Sequence, residues 1–217
     1  MPTPDTPRRP RTAVAGREMK DLRQERAVRT RAQVLAAAAE AFAARGFPRV
    51  TIQDVAELAD LTKGAVYFHF GNKESLATAV AKDFYEQLGT IGQSLHAEAL
   101  PPLEAVKQLL LRTARAFRDN VTVRAGARLQ IERSLIESDL PMPYVRFETM
   151  VTDYCRQAVA AGQLPTDKDP ADLAQVLVSA FFGAQHISWV LNERADLVDR
   201  VERILSVSLP GPVAAQG

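Results

Sequence analysis

The chain has 217 residues, of which 47% are apolar and 24% charged, enough for one large or two small domains with a real core. Its formal charge is only +1, but residues 1–50 carry eleven Arg and Lys against five Asp and Glu, whereas residues 81–217 carry fourteen against seventeen. That asymmetry points to an anionic partner at the N-terminal end, a solvated basic tail being the alternative.

No secretion signal, anchor or apolar run of membrane-spanning length is apparent, and a single cysteine suits a reducing cytoplasm, so a cytoplasmic protein with no membrane partner is expected. Cys155 reads as a small buried hydrophobe, a redox-sensing thiol being the sharper alternative.

Residues 1–20, rich in Pro, Thr and Arg, read as a disordered basic arm. From Asp21 to Arg45 the pattern is helical, with Val34, Leu35, Ala38, Ala39 and Phe42 at three- and four-residue spacing. Gly46 should end this helix in a left-handed cap, Phe47 folds back on it, and Pro48 blocks continuation. Thr51 then caps a short helix with Asp54 as its reciprocal partner and Ile52, Val55 and Leu58 as its buried stripe. After a break at Ala59–Thr62, Thr62 caps a second short helix, Lys63 to Phe70, which Gly71 stops.

Asn72 caps a long helix from Lys73 to near Ala97. Further helices are expected from Pro101–Pro102 to Asp119–Asn120, from Val121 to Ile136, from LPMPYV (140–145) to Gly162, from Asp169–Pro170 to Asn192, and from Asp196 to Leu209. Residues 210–217 read as a frayed tail. No strand-type alternation of useful length occurs, so the fold is expected to be all-α.

Two short helices packed under a first one make a helix-turn-helix, whose second helix enters the major groove of DNA. In LTKGAVYFHFGNKESL (61–76), Leu61, Ala65, Val66, Phe68 and Phe70 are assigned to the core. Thr62, Lys63, Gly64, Tyr67 and His69 are left for the outside. Lys63 can donate to guanine or phosphate, Thr62 to a phosphate or a base edge, and Tyr67 and His69 to phosphates. Gly64 removes a side chain where helix and DNA approach, and Lys73 stands at the next helix start, which favours an anion. His96 and His186 are remote from His69 in sequence, so no metal site is expected.

The run from Thr30 to Val80, with RGF (45–47), TIQDVAELA (51–59) and TKGAVYFHFGNKESL (62–76), resembles the DNA-binding domain of TetR-family regulators. The resemblance implies about nine helices and a homodimer. It implies that residues 21–72 read operator DNA through Thr62, Lys63, Gly64, Tyr67, His69 and Lys73. It also implies that residues 73–209 form a larger helical domain for ligand binding and dimerisation. The arm (Arg8, Arg9, Arg11, Arg17, Lys20, Arg23) is longer than the family needs and is expected to reach phosphates or a minor groove.

In the larger domain, polar and aromatic residues on apolar helix faces are the ligand candidates: Tyr85, Gln130, Tyr144, Phe147, Gln185 and Trp189. AGARLQIERSL (125–135), LPMPYVRF (140–147) and AFFGAQHISW (180–189) resemble the regulatory domain of γ-butyrolactone-type autoregulator receptors of actinomycetes. That implies a small amphiphilic signal of butyrolactone, butenolide or furan type, and control of antibiotic or other secondary metabolism. Members commonly carry Trp where this chain has Phe147. A multidrug- or fatty-acid-sensing repressor of the same fold, or a pseudo-receptor answering an antibiotic product, are the alternatives. No paired carboxylates, activated nucleophile, phosphate loop or metal spacing marks an enzyme, and no cofactor is expected. The helix 170–192 is apolar nearly all round, which calls for burial on two sides; with Leu197, Val201, Ile204 and Leu205 of the last helix it is expected to form a four-helix dimer interface.

Overall fold

The computed structural model describes residues 11–142, 144–165, 167 and 169–209. Over these the chain is all helical: α1 (Arg11–Arg45), α2 (Ile52–Leu58), α3 (Lys63–Phe70), α4 (Lys73–Glu98), α5 (Pro102–Asp119), α6 (Val121–Ile131), a 3-10 turn (Arg133–Leu135), α7 (Val145–Ala160), α8 (Pro170–Asn192) and α9 (Leu197–Ser208).

The helix ends follow the side chains that can satisfy free backbone amides. Thr51 and Asp54 form the reciprocal box that starts α2, with Asp54 Oδ2 accepting the Thr51 N–H at 2.7 Å and Thr51 Oγ1 accepting the Asp54 N–H at 3.2 Å. Arg45 at 3.0 Å completes the surroundings of the Asp54 carboxylate. These contacts, the Thr51 hydrogen bonds foremost, hold the Asp54 carboxyl down at about 2. Thr62 caps α3 through the Ala65 N–H at 3.2 Å, and Asn72 caps α4 through the Ser75 N–H at 2.7 Å. Gly46 and Gly71 take the left-handed φ values of +76° and +73° that end α1 and α3 sharply.

Three expectations change. α1 begins at Arg11, not Asp21, so half of the expected arm is helical; Arg8 and Arg9, with the rest of residues 1–10, lie outside the described residues, as does the tail 210–217. The helix expected over 121–136 ends at Ile131, and one 3-10 turn carries the chain on, placing Ile136 and Leu140 in the core below. Leu58 is exposed rather than buried, because Ile52, Val55 and Ala56 fill the single inward stripe that two turns provide.

There are two cores. The first joins α1, α2 and α3 around Val34, Phe42, Val55 and Val66, and takes in Leu76, Ala77, Val80 and Ala81 from the start of α4. The second joins α5, α7, α8 and α9 around Leu109, Phe117, Val151 and Phe181, and takes in Phe84, Leu88 and Leu95 from the rest of α4. α6 also belongs to both: Ala125 and Leu129 face the first core, Val123 and Ala127 the second. α4 and α6 cross closely at Gly126, where a Cβ would lie 2.2 Å from Phe84 Cβ. Only a residue without a side chain permits that approach.

α8 corrects the reading that no apolar run could span a membrane. By length and composition it could, the one such helix among the described residues. One face packs in the second core through Ala174, Leu177, Phe181 and Ala184, while Val176, Ile187, Val190 and Leu191 are exposed. The apolar stripe of α9 turns inward, with Leu197, Val201 and Leu205 buried within the protomer and Ile204 half-buried; Val207 alone of its large apolar residues is fully outward.

Candidate DNA-reading face and ligand cavity

α3 presents Thr62, Lys63, Gly64 and Tyr67 outward, and His69 is half-buried at their edge. The Lys63 ammonium lies 5.8 Å from the Tyr67 ring, so the two form one cationic and aromatic surface. A Cβ on Gly64 would meet only Thr62 Oγ1, at 3.8 Å. Nothing within the described fold therefore requires glycine there, although it costs about 1 kcal/mol of helix stability relative to alanine.

Phe68 is not in the core: it is 82% exposed, edge-on to His69 at 5.1 Å. Val66 and Phe70, four residues apart, take the one buried stripe, and Phe68 lies two residues, roughly 200° of helix, from each. Arg31 closes over Phe70, its guanidinium 4.9 Å from the ring. Phe68 thus joins the outward face, a placement the spacing of four between Val66 and Phe70 could have revealed. Lys73 stands apart from that face. Its ammonium donates to the Phe47 carbonyl at 3.2 Å and sits 4.1 Å from the Phe47 ring, tying α4 to the end of α1.

In the second core, α4, α5, α6, α7 and α8 leave a cavity whose empty space, open solvent included, is about 660 Å³. Tyr85, Gln130, Tyr144, Phe147 and Gln185, drawn from four segments, all line it. The walls are mostly aromatic: Tyr144 packs edge-on against Phe182 at 4.5 Å, and Phe182 in turn meets Phe117 and Phe147 at 6.0 and 5.9 Å. Tyr144 takes a left-handed φ of +69°, a strained backbone for a residue with a side chain, just before α7. Gln130 donates to the Pro141 carbonyl at 3.4 Å and accepts from Arg133 at the same distance, so its amide is oriented but loosely held. Burial, reinforced by Tyr144, pushes the Tyr85 phenol up to about 12, which keeps it a neutral donor. Arg146 is the one charged residue on the described wall.

Trp189 does not reach this cavity. It lies one turn beyond Gln185 on the same side of α8, with the guanidinium groups of Arg194 at 4.9 Å and Arg128 at 5.6 Å from its ring. At α8 the cavity takes Phe182 and Gln185, a spacing of three; Trp189, four residues beyond Gln185, is held away by the arginines that cover its ring. Cys155 is fully buried, and desolvation pushes its thiol up to about 11, so it behaves as the small buried hydrophobe expected.

The cavity is joined to the reading domain through α6. Arg128 Nη1 donates to the carbonyls of Ala43 and Ala44, at 3.1 and 3.0 Å, at the end of α1. Its Nε pairs with Glu132 at 3.0 Å, and Glu132 accepts the Phe47 N–H at 2.6 Å. A Cβ on Gly46 would lie 2.3 Å from Glu132 Oε1, so the turn after α1 and this ion pair fit against each other without a gap. Ala127, Gln130 and Ile131, on the same helix, line the cavity.

Residues 34–80 match the family model described as bacterial regulatory proteins, tetR family. The chain is 31% identical over 197 residues to the A-factor receptor protein of Streptomyces griseus, covering 88% of this chain and 68% of that one. A solved structure described as the molecular basis for control of antibiotic production by bacterial hormones is 45% identical, with a TM-score of 0.78, covering 83% of this chain and 96% of the other. The TetR-family protein CprB of Streptomyces coelicolor, solved in complex with its biological operator sequence, is 28% identical with a TM-score of 0.65, covering 82% and 98%. With its helix-turn-helix, its wholly helical fold and this similarity along most of its length, the chain belongs to the tetR family of bacterial transcriptional regulators.

Proposed function

We propose that the protein is a homodimeric, cytoplasmic repressor that binds a pseudo-palindromic operator through α3 and releases it when a small amphiphilic signal fills the cavity. The observation that carries this reading is that α4 and α6, which wall the cavity, are the two helices shared with the core of the reading domain. A ligand that favours another spacing of α4 and α6 alters the seat of α3. It shifts operator affinity only as far as it binds the two arrangements unequally, a few kcal/mol for about a hundredfold effect.

The signal is of γ-butyrolactone, butenolide or furan type. A ring and short alkyl chain suit the aromatic walls, and Tyr85, Gln130 and Tyr144 supply hydrogen bonds for carbonyl or carboxyl oxygens. A cationic drug is disfavoured, since the described wall carries Arg146 and no carboxylate. The similarity to the A-factor receptor protein and to the structure concerned with antibiotic control supports a role in secondary metabolism.

The exposed stripe of Val176, Ile187, Val190 and Leu191 on α8, with Val207 on α9, supplies the apolar face for a second copy. A two-fold axis there sets two α3 helices about one DNA turn, ~34 Å, or somewhat more, apart. The test is an electrophoretic shift on the DNA flanking its own gene, with and without synthetic γ-butyrolactones, butenolides and furan acids. Operator affinity unmoved by a compound that calorimetry shows to bind in the cavity would sink the release mechanism.

A further inference from the structure

A second cleft opens behind Gln185, between the end of α1, α6 and the end of α8, with about 890 Å³ of space open to solvent. Arg124, Arg128 and Arg194 converge on it around Trp189. Arg194 is 4% exposed. It is carried inward by a left-handed turn in which Glu193 and Arg194 both take positive φ, +50° and +72°, without being glycine. The chain thus accepts backbone strain to put a guanidinium inside.

What that guanidinium meets is short of negative charge. With the Gln185 amide oriented so that its oxygen faces the arginine, that oxygen accepts from Arg194 Nη2 and Nε at 3.0 and 3.1 Å. The other contact is the face of Trp189. Among the described residues no carboxylate lies within ion-pairing distance of Arg194 or Arg124. The Arg124 Nε is buried with no hydrogen-bond partner. Of the three cations only Arg128 is paired, with Glu132. Glu40 and Glu193 line the cleft but are exposed and in no ion pair there. Burial, with the like charges of Arg124 and Arg128, pulls Arg194 down to about 10, still charged at neutral pH. A buried cation and a buried unsatisfied donor are costly unless a counter-charge meets them. Planar guanidinium forks match an oxyanion in geometry as well as charge.

We propose that this cleft binds one small oxyanion, a phosphate or a carboxylate group, between Arg124 and Arg194 beside Trp189. The anion braces α8 against α6 at the point where α6 holds the end of α1. The site is separate from the signal cavity, and Gln185 is the wall between them.

The experiment is titration calorimetry and thermal unfolding of the full chain with sodium phosphate and, in a second arm, sodium acetate. Sodium chloride at matched ionic strength is the reference. Saturable binding of one anion per protomer is expected, with a rise in Tm that chloride does not give. Arg124→Gln and Arg194→Gln should each weaken it at least tenfold, and Glu193→Gln should strengthen it severalfold by removing a competing rim charge. Whichever of phosphate and acetate binds more tightly identifies the source of the oxyanion. Arg124 is only half-buried, so its variant keeps the test sound if Arg194→Gln fails to fold. Equal Tm values in all three salts, or undiminished binding in a folded Arg124→Gln protein, would overturn the site.

Discussion

Glu132, at the C-terminal cap of α6, accepts the backbone N–H of Phe47 at 2.6 Å, across 85 positions of sequence. Its other oxygen pairs with Arg128, which caps the carbonyls of Ala43 and Ala44. The last turn of the first helix is therefore completed by the C-terminal end of α6, the helix that also walls the cavity. Both partners are largely buried, with side chains 20% and 18% exposed.

Glu132→Ala removes a charge-assisted hydrogen bond and strands Arg128. A loss of roughly 1.5–3 kcal/mol is expected in urea unfolding, the range for hydrogen bonds to charged groups. Under the proposed function, the same variant should narrow the gap between operator affinities with and without signal. A variant as stable and as responsive as the parent would show that α6 has no such part.

Gly64→Ala should separate folding from DNA reading. A methyl group finds open space on the protein side, so stability should rise by up to ~1 kcal/mol. Operator affinity should fall about tenfold or more if DNA approaches the backbone at this point. Thermal melts and operator titrations on one preparation decide it; equal operator affinity would leave Gly64 without a DNA role.

In the cavity, Tyr85→Phe and Gln130→Leu should each weaken signal binding by about tenfold, the worth of one hydrogen bond near 1.4 kcal/mol. Operator affinity without signal should not change. Since the Tyr85 phenol is pushed up to about 12, its contribution should also persist unchanged from pH 7 to pH 10. A calorimetric affinity lost across that interval by the parent but not by Tyr85→Phe would contradict a neutral donor.

Asp54 is held below its unfolded value by Thr51 and Arg45, so its contribution to stability is present above pH ~4 and is lost as pH falls through about 2. Asp54→Asn should flatten that acid limb in denaturation curves taken at pH 5, 4, 3 and 2. An unaltered limb would place the acid sensitivity elsewhere.

Leu191 is 66% exposed on the apolar stripe of α8. Leu191→Asp should shift the protein from dimer to monomer in sedimentation equilibrium and weaken operator binding while leaving helix content intact. A variant that remains dimeric would move the interface to another face.

The elements themselves were legible along the chain because their causes are local. Thr51, Thr62, Asn72 and Asp169 satisfy the amides of the next few residues, Gly46 and Gly71 supply the left-handed turns, and the buried stripes recur at helical spacing. The same logic brought Tyr85, Gln130, Tyr144, Phe147 and Gln185 together as one polar and aromatic set. It failed where two side chains compete for one place. Phe68 and Phe70 are equally apolar, but a two-turn helix has room for one stripe, and Val66 settles which. Trp189 lies on an apolar helix like Gln185, yet the arginines of α6 and of the α8 turn claim its ring. The sequence alone determined most of the helices, their caps at Thr51, Thr62 and Asn72, and the outward placement of Thr62, Lys63, Gly64 and Tyr67. Only the tertiary structure decided that α6, and not α4 alone, spans both cores. The reason is that Ala125 and Leu129 on one side of α6 and Val123 and Ala127 on the other are all simply apolar until distant segments choose between them.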